Sequence, residues 1–288
     1  MLSVGLITFN EELRLGRTLK AIEGLADEIV VVDSFSSDKT VEIAESFGAK
    51  VYQIPWPGYG KQKNNVIERC TKDWILLIDA DEVVTPELAN EIKEVMAHGD
   101  SYVYKIPFNS VCFGKRIRFG GWSGSSRVRL FKKTSGHYSL DEVHEQFLTG
   151  DEIGELKNRI DHYTYEDYAD YLHKFNRYTS EGANVAFKKN KSAGFFNIVL
   201  NPIFKFLRMY IFRLGFLDGV EGLALSTFSA LYTSVKYLKL REMKKKDYDI
   251  NSWGYWKFTK INKNNLRKRG VLCRRGWKWR DSLRKSQW

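Results

Sequence analysis

Cysteine is nearly absent: Cys70, Cys112 and Cys273 are scattered through 288 residues, with no C-x-x-C pair and no His/Cys cluster. Neither a disulfide framework nor a zinc module fits that pattern, and a reducing compartment is the expectation. A basic leader is missing too, since Met1 runs straight into Leu2-Ser3-Val4-Gly5-Leu6-Ile7, with Glu11 and Glu12 close behind. No secretory signal is therefore expected. Long apolar runs are equally scarce. The longest uncharged stretch in the C-terminal half, Gly222 to Val235, falls short of the ~20 residues of a helical span, so no transmembrane anchor is expected. Glycine-rich phosphate cradles are missing in both common forms, G-x-G-x-x-G and G-x-x-x-x-G-K-[ST].

Positive charge is present but unevenly placed. The chain is +11 overall; from Lys239 onward 17 basic residues face 4 acidic ones, while the first 238 residues hold 29 basic and 31 acidic. A nearly neutral body disfavours nucleic acid binding over its whole surface, which requires phosphate-neutralising charge on the working face. An apolar share of 43% with 14% aromatics is enough for a real core.

The first hundred residues alternate between strand and helix patterns. Val4 to Thr8, Glu28 to Asp33, Ala49 to Ile54 and Asp73 to Asp79 are short, largely β-branched or aliphatic runs of strand type. Helical spacing follows each: Glu11 to Leu25, Lys39 to Phe47, Gln62 to Cys70, and a segment opened by Thr85-Pro86-Glu87 and closed near His98-Gly99. Four repeats of this alternation predict an open α/β, mostly parallel sheet with flanking helices, whose ligands bind beyond the carboxyl ends of the strands. Thr8, Asn10, Glu11, Asp33, Asp79 and Asp81 stand at those ends. Shorter strands at Tyr102–Pro107, Lys115–Phe119 and Arg127–Lys132 are expected to complete the sheet antiparallel. Helices are expected from Tyr165 to Lys188 and from Phe195 to Leu214.

Asp79-Ala80-Asp81-Glu82 follows an apolar strand directly. Carboxylates at i and i+2 suit a hard divalent ion, Mg²⁺ or Mn²⁺, that also takes diphosphate oxygens. A lone D-x-D arises by chance in any acidic loop, so context decides. Asp33 ends the second strand, where an acid can accept hydrogen bonds from a ribose or base.

Taken together, Thr8-Phe9-Asn10-Glu11-Glu12, Val32-Asp33-Ser34-x-Ser36-x-Asp38-x-Thr40, Gly60-x-Gln62-Lys63-Asn64 and Asp73-Trp74-x-Leu76-x-x-Asp79-Ala80-Asp81-Glu82 resemble glycosyltransferase family 2. Arg129-Leu130-Phe131, Val143-His144-Glu145, the Lys174–Tyr178 segment and Leu214-Gly215-Phe216-Leu217-Asp218-Gly219 extend the resemblance to the branch containing lipopolysaccharide-core β-glucosyltransferases. It covers residues 2 to about 240 in order and spacing. Phe35 stands where the family has a small residue, and the segment after Lys244 has no counterpart.

The resemblance implies a GT-A fold and inverting transfer of a hexose, glucose from UDP-glucose, to a lipopolysaccharide-core or other lipid-linked saccharide. It implies that Thr8, Asn10 and Glu11 line the base and ribose pocket and that Asp33 holds the nucleoside. Gln62 and Lys63 then lie near the nucleotide, Asp79 near ribose or metal, and Asp81 on the metal. Inversion needs a base for the acceptor hydroxyl. Asp141, Glu142 and Glu145 are candidates; Glu145 is preferred because Val143-His144-Glu145 matches the family. His144 is a candidate metal ligand, or a histidine making one structural hydrogen bond. Trp122, in Gly120-Gly121-Trp122-Ser123-Gly124, would stack on a sugar or pack in a plain turn. Arg129 would face phosphate on the acceptor side or be an ordinary strand charge.

Three regions are expected: a GT-A domain over 1–160, a helical membrane-associating region over 161–243, and a basic aromatic-rich tail over 244–288. Asn201, Lys205, Arg208 and Arg213 fall on one arc of an otherwise apolar helix, as suits a membrane interface. Tail cations interleaved with Trp253, Trp256, Trp277, Trp279 and Trp288 suit an anionic bilayer surface. A solvated tail or an RNA-binding one is the alternative. A nucleotidyltransferase would want a basic, Gly-rich loop after the first strand, which Thr8-Phe9-Asn10-Glu11 is not. The expected location is the cytoplasmic face of the membrane.

Overall fold

The computed structural model describes residues 1–140 and 145–259, with side chains through residue 246. Its strands are β1 (Leu2–Thr8), β2 (Glu28–Asp33), β3 (Lys50–Gln53), β4 (Trp74–Asp79), β5 (Glu82–Val84), β6 (Val103–Cys112), β7 (Lys115–Ile117), β8 (Ser126–Lys132), β9 (His137–Tyr138), β10 (Phe147–Leu148), β11 (Ile153–Glu155) and β12 (Ile160–Tyr165). The helices are α1 (Leu15–Ala21), α2 (Thr40–Ser46), α3 (Tyr59–Arg69), α4 (Pro86–His98), α5 (Tyr168–Lys188), α6 (Asn201–Leu207) and α7 (Gly219–Thr259).

The main sheet runs β3-β2-β1-β4-β8-β6-β12-β5, with β7 and β11 added beside β6. The first four strands are parallel, and β8 turns antiparallel to both β4 and β6. Helices cover both faces. Leu15, Leu19, Ala44, Leu88 and Ile92 bury one face, while Val66, Ile67 and Cys70 bury the other. Gly5 on β1 faces Val66 of α3 so closely that a Cβ there would collide with it. Thr85 caps α4 by accepting from Leu88 N (3.2 Å), and Pro86 opens the first turn.

The sheet extends past residue 160, where its end was expected. β12 pairs with β6 and β5 through Tyr165, and α5 begins only after Asp167, whose side chain accepts from Asp170 N. The extended backbone that pairs Tyr163 and Tyr165 with β6 wins over the helical spacing read there. The helix expected over Phe195–Leu214 is not uniform: wide π-type turns, Phe196–Leu200 and Arg208–Phe212, flank α6. α7 runs through residue 244 without a break, and the tail beyond 259 lies outside the described residues.

The helical region docks on the sheet through a buried carboxylate. Asp218 accepts from Phe119 N (2.8 Å) and Arg118 N (3.2 Å), while Arg14 pairs with Asp170 (2.8 Å). No single helix among the described residues is long and apolar enough to cross a membrane. Phe196–Phe212 and Gly215–Lys246 pass that test only as a pair, bent by 71°.

One strand-start carboxylate ties β2 to its neighbours. Glu28 accepts from Ser3 Oγ (2.5 Å), Thr71 N (2.7 Å), Thr71 Oγ1 (3.0 Å) and Lys50 Nζ (2.9 Å). Burial raises its pKa, but these donors more than offset that and bring it down to about 2. Because the folded value lies below the unfolded one, this stabilisation is complete above the ordinary carboxylate pKa and is lost as pH falls toward 2. It amounts to about 3 kcal/mol. Urea titrations at pH 5 and pH 2 should therefore show the stability gap between wild type and Glu28→Gln closing by about 3 kcal/mol.

Candidate functional site

The carboxyl ends of β1 and β2 carry two loops bolted together by side chains. Register places Thr8 opposite Asp33, and Thr8 Oγ1 donates to Asp33 Oδ1 (2.9 Å). Ser36 N donates to Asp33 Oδ2 (2.8 Å), and Ser36 Oγ donates to Oδ1. Asn10, held at φ 55°, accepts from Ser37 N (2.8 Å) through Oδ1 and donates its own N–H to Ser36 Oγ (2.8 Å). Phe35, also at positive φ (60°), projects into solvent from this crossing. Asp33 itself has no exposed surface. Its oxygens are taken up by Thr8 and Ser36, so that it organises the loop that follows β2. Glu11 stands beside this pocket, half-buried, accepting from Arg14 (3.1 Å). Burial raises its pKa, with the Asp81 charge adding to the rise.

Helix α3 explains the Gly60-x-Gln62-Lys63-Asn64 spacing residue by residue. A Cβ on Gly60 would collide with the Ser139 carbonyl, so glycine lets the helix approach that segment. Gln62, buried, donates to Ser34 Oγ (3.1 Å) and Ile54 O (3.3 Å). Asn64 grips the Tyr138 backbone at both ends, donating to its carbonyl (2.9 Å) and accepting from its N–H (2.8 Å). Lys63, buried, pairs with Glu145 (2.7 Å). Burial acts to raise the Glu145 pKa, but the Lys63 contact dominates and holds it below the usual carboxylate range. Glu145 is therefore an ionised carboxylate at the pocket, whereas Asp141, Glu142 and His144 lie outside the described residues.

Beyond β4 the D-x-D-E segment splits into two pairs with different work. Arg129 of β8 places its Nη2 2.5 Å from both Asp79 and Glu82, and its side chain is only 1% exposed. One guanidinium charge between a buried carboxylate and a partly buried one cannot neutralise both. Burial is overcome by Arg129 and Lys63 at Asp79, whose pKa falls well below normal; at Glu82 burial and the Asp79 charge win, lifting it to about 7. Arg129, read from the sequence as facing phosphate on the acceptor side or as an ordinary strand charge, lies buried with its guanidinium on Asp79 and Glu82.

Asp81 forms the other pair. Its Oδ2 lies 3.4 Å from His162 Nε2 on β12, and both side chains remain partly open, 23% and 33% exposed. Burial lowers the His162 pKa, but the Asp81 hydrogen bond and the nearby acids raise it overall. Sequence reasoning missed His162. It reaches Asp81 only because β12 pairs antiparallel with β5, setting His162 opposite Glu82. Among the described residues no three His, Cys, Asp or Glu side chains gather to hold a metal by themselves.

Trp122 packs into a cluster with Cys112, Ile117, Tyr171 and Leu225, edge-on to Tyr165 at 6.1 Å.

Known proteins can now be set beside this geometry. The Glycosyl transferase family 2 model matches residues 3–148. An uncharacterised glycosyltransferase of Rickettsia typhi is 32% identical over 261 residues, which is 86% of this chain and 89% of its own. The lipopolysaccharide core biosynthesis glycosyltransferase LpsC of Rhizobium meliloti is 28% identical over 84% of this chain and 91% of its own length. Among solved structures, Staphylococcus aureus TarS 1–349 aligns with 85% of this chain and 91% of that one at 16% identity and a TM-score of 0.45.

Proposed function

Because the chain belongs to glycosyltransferase family 2 and is a glycosyltransferase with a GT-A sheet, we propose that it transfers a hexose, with inversion, from a nucleotide-sugar donor to a lipid-linked saccharide. The donor of this reading is UDP-glucose and the acceptor a lipopolysaccharide-core saccharide. The printed role of the Rhizobium meliloti relative supports that acceptor class. The observation that carries the reading is the convergence, at the ends of β1, β2 and β4, of three elements. These are the cross-linked loops around Asp33, the Asp81–His162 pair and the Lys63–Glu145 pair.

Mg²⁺ or Mn²⁺ fits the carboxylate of Asp81, a hard oxygen donor, with His162 beside it on the same carboxylate. Asp81 is the donor the described residues offer, and diphosphate oxygens and water would supply further ligands. When bound, the ion stabilises the negative charge that develops on the departing nucleoside diphosphate. Asp79 is engaged by Arg129 and keeps the loop in place.

Glu145 is the base of this proposal. It is ionised, pairs with Lys63 through Oε1, and would take the proton of an acceptor hydroxyl. Lys63 also acts electrostatically on Asp79, so its charge stands between the base and the acidic loop. The working surface is taken to be the cytoplasmic face of a membrane, a reading supported by the exposed Phe196, Phe204 and Phe212 of the bent helical pair. Glu145→Gln should keep donor affinity, measured by calorimetry, and lose about 10²- to 10⁴-fold in transfer. Turnover near wild type would assign the base to another residue.

A further inference from the structure

The helical region carries a group of cations with no acid paired to it among the described residues. Lys205, Arg208 and Arg213 are exposed within one helical stretch, Arg208 and Arg213 act on Lys205, and Lys205 and Lys191 act on Lys236 of α7. Burial and these like charges both lower the pKa of Lys205 and of Lys236, with no carboxylate among the causes. None of the five forms an ion pair among the described residues, although acids elsewhere in the chain are paired readily. Lys236 rests over the Tyr232 and Tyr237 rings, while Lys205, Arg208 and Arg213 present their charge together at the surface, where it raises the local concentration of anions.

Beside them lies an apolar cleft. Ile198, Val199, Ile203 and Leu207 form one wall and Ala230 and Leu231 of α7 the other of an open groove of about 520 Å³. That volume falls within the roughly 300–1,000 Å³ of small-ligand pockets. The outer surface around it is aromatic and open, with Phe196 70%, Phe204 65% and Phe212 78% exposed. An amphiphile with an acyl chain and a negative head matches both features at once.

The cluster also reaches toward the acceptor side. The Arg213 carbonyl accepts from Gly120 N (2.9 Å), and its guanidinium lies so close to Gly121 that a side chain there would collide with it. The next residue, Trp122, packs against Tyr165, three residues along β12 from His162.

We infer that the cleft between α6 and α7 seats an acyl chain of an anionic phospholipid, whose phosphate is held by Lys205, Arg208 and Arg213. This rests on the reading of the chain as a glycosyltransferase working at a membrane and adds a defined lipid site to it. The site would orient the enzyme by its own helices, independently of the basic tail.

The test uses the full-length protein and phosphatidylcholine vesicles doped with phosphatidylglycerol carrying a diazirine in one acyl chain. After illumination, mass spectrometry should find the label on peptides containing Ile198–Leu207 and Thr227–Ser234. The triple variant Lys205→Gln, Arg208→Gln, Arg213→Gln should lower labelling of those peptides by about two orders of magnitude, the effect of three surface cations. Its hydrolysis of soluble nucleotide sugar should be unchanged. Labelling confined to other segments, or equal labelling of wild type and variant, overturns the inference. So does a dimer in sedimentation that buries these peptides without lipid. Cleft labelling in a protein that turns over no nucleotide sugar would instead count against the enzymatic reading.

Discussion

Asp81→Asn should lower transfer by about a thousandfold while leaving the fold intact. Asp81 makes one side-chain contact, to His162, and stays 23% exposed, so its loss creates neither a cavity nor an unpaired buried charge. What disappears is the carboxylate offered to a divalent ion and the charge that holds His162 above its ordinary pKa. The defect should fall on kcat, because charge develops on the donor only as it departs. Mn²⁺ binding in the presence of UDP, followed by electron paramagnetic resonance, should weaken in parallel. His162→Ala should cost less, about ten- to a hundredfold, since one carboxylate remains. Urea midpoints of both variants should match wild type. An Asp81→Asn enzyme with near-normal turnover would place donor activation elsewhere.

Much of this was legible because the buried parallel strands write themselves as continuous apolar runs. Val30-Val31-Val32 and Ile75-Leu76-Leu77-Ile78 are almost wholly inaccessible, and the polar residues that follow them fall at the ligand end of the sheet by geometry alone. Local signals worked equally well where a local interaction sets the boundary, as at Thr85-Pro86. Long-range register left no such signal. His162 gains its meaning from pairing eighty residues back, and nothing in Ile160-Asp161-His162-Tyr163 announces it. Arg127 and Arg129 stand two residues apart on β8, yet one is exposed and the other buried against Asp79 and Glu82, because the register with β6 shifts between them. Alternation in the sequence does not report such a shift. The Leu214–Gly219 motif was visible as a pattern, but its reason, Asp218 capping the Arg118 and Phe119 amides, lies a hundred residues away.

Arg129→Met should be the most destabilising single change here, by about 3–5 kcal/mol at pH 7. Methionine fills the space, so packing is largely retained and the loss is electrostatic. Asp79 and Glu82 are left without the one cation that bridges them, in a place where Glu82 is already lifted to about 7. Both carboxyls should then titrate above their unfolded values. The sign follows: a raised folded pKa means the penalty is absent below the ordinary carboxylate range and grows as pH climbs through the folded values. Urea unfolding should therefore find the variant's deficit largest at pH 8 and shrinking toward pH 5, the same direction as Glu28→Gln but in a higher pH window. Adding Glu82→Gln to Arg129→Met removes one unpaired charge and should restore part of the loss at pH 8 but little at pH 5. A single-variant deficit below about 1 kcal/mol, the range of exposed pairs, would mean that water reaches and screens this cluster.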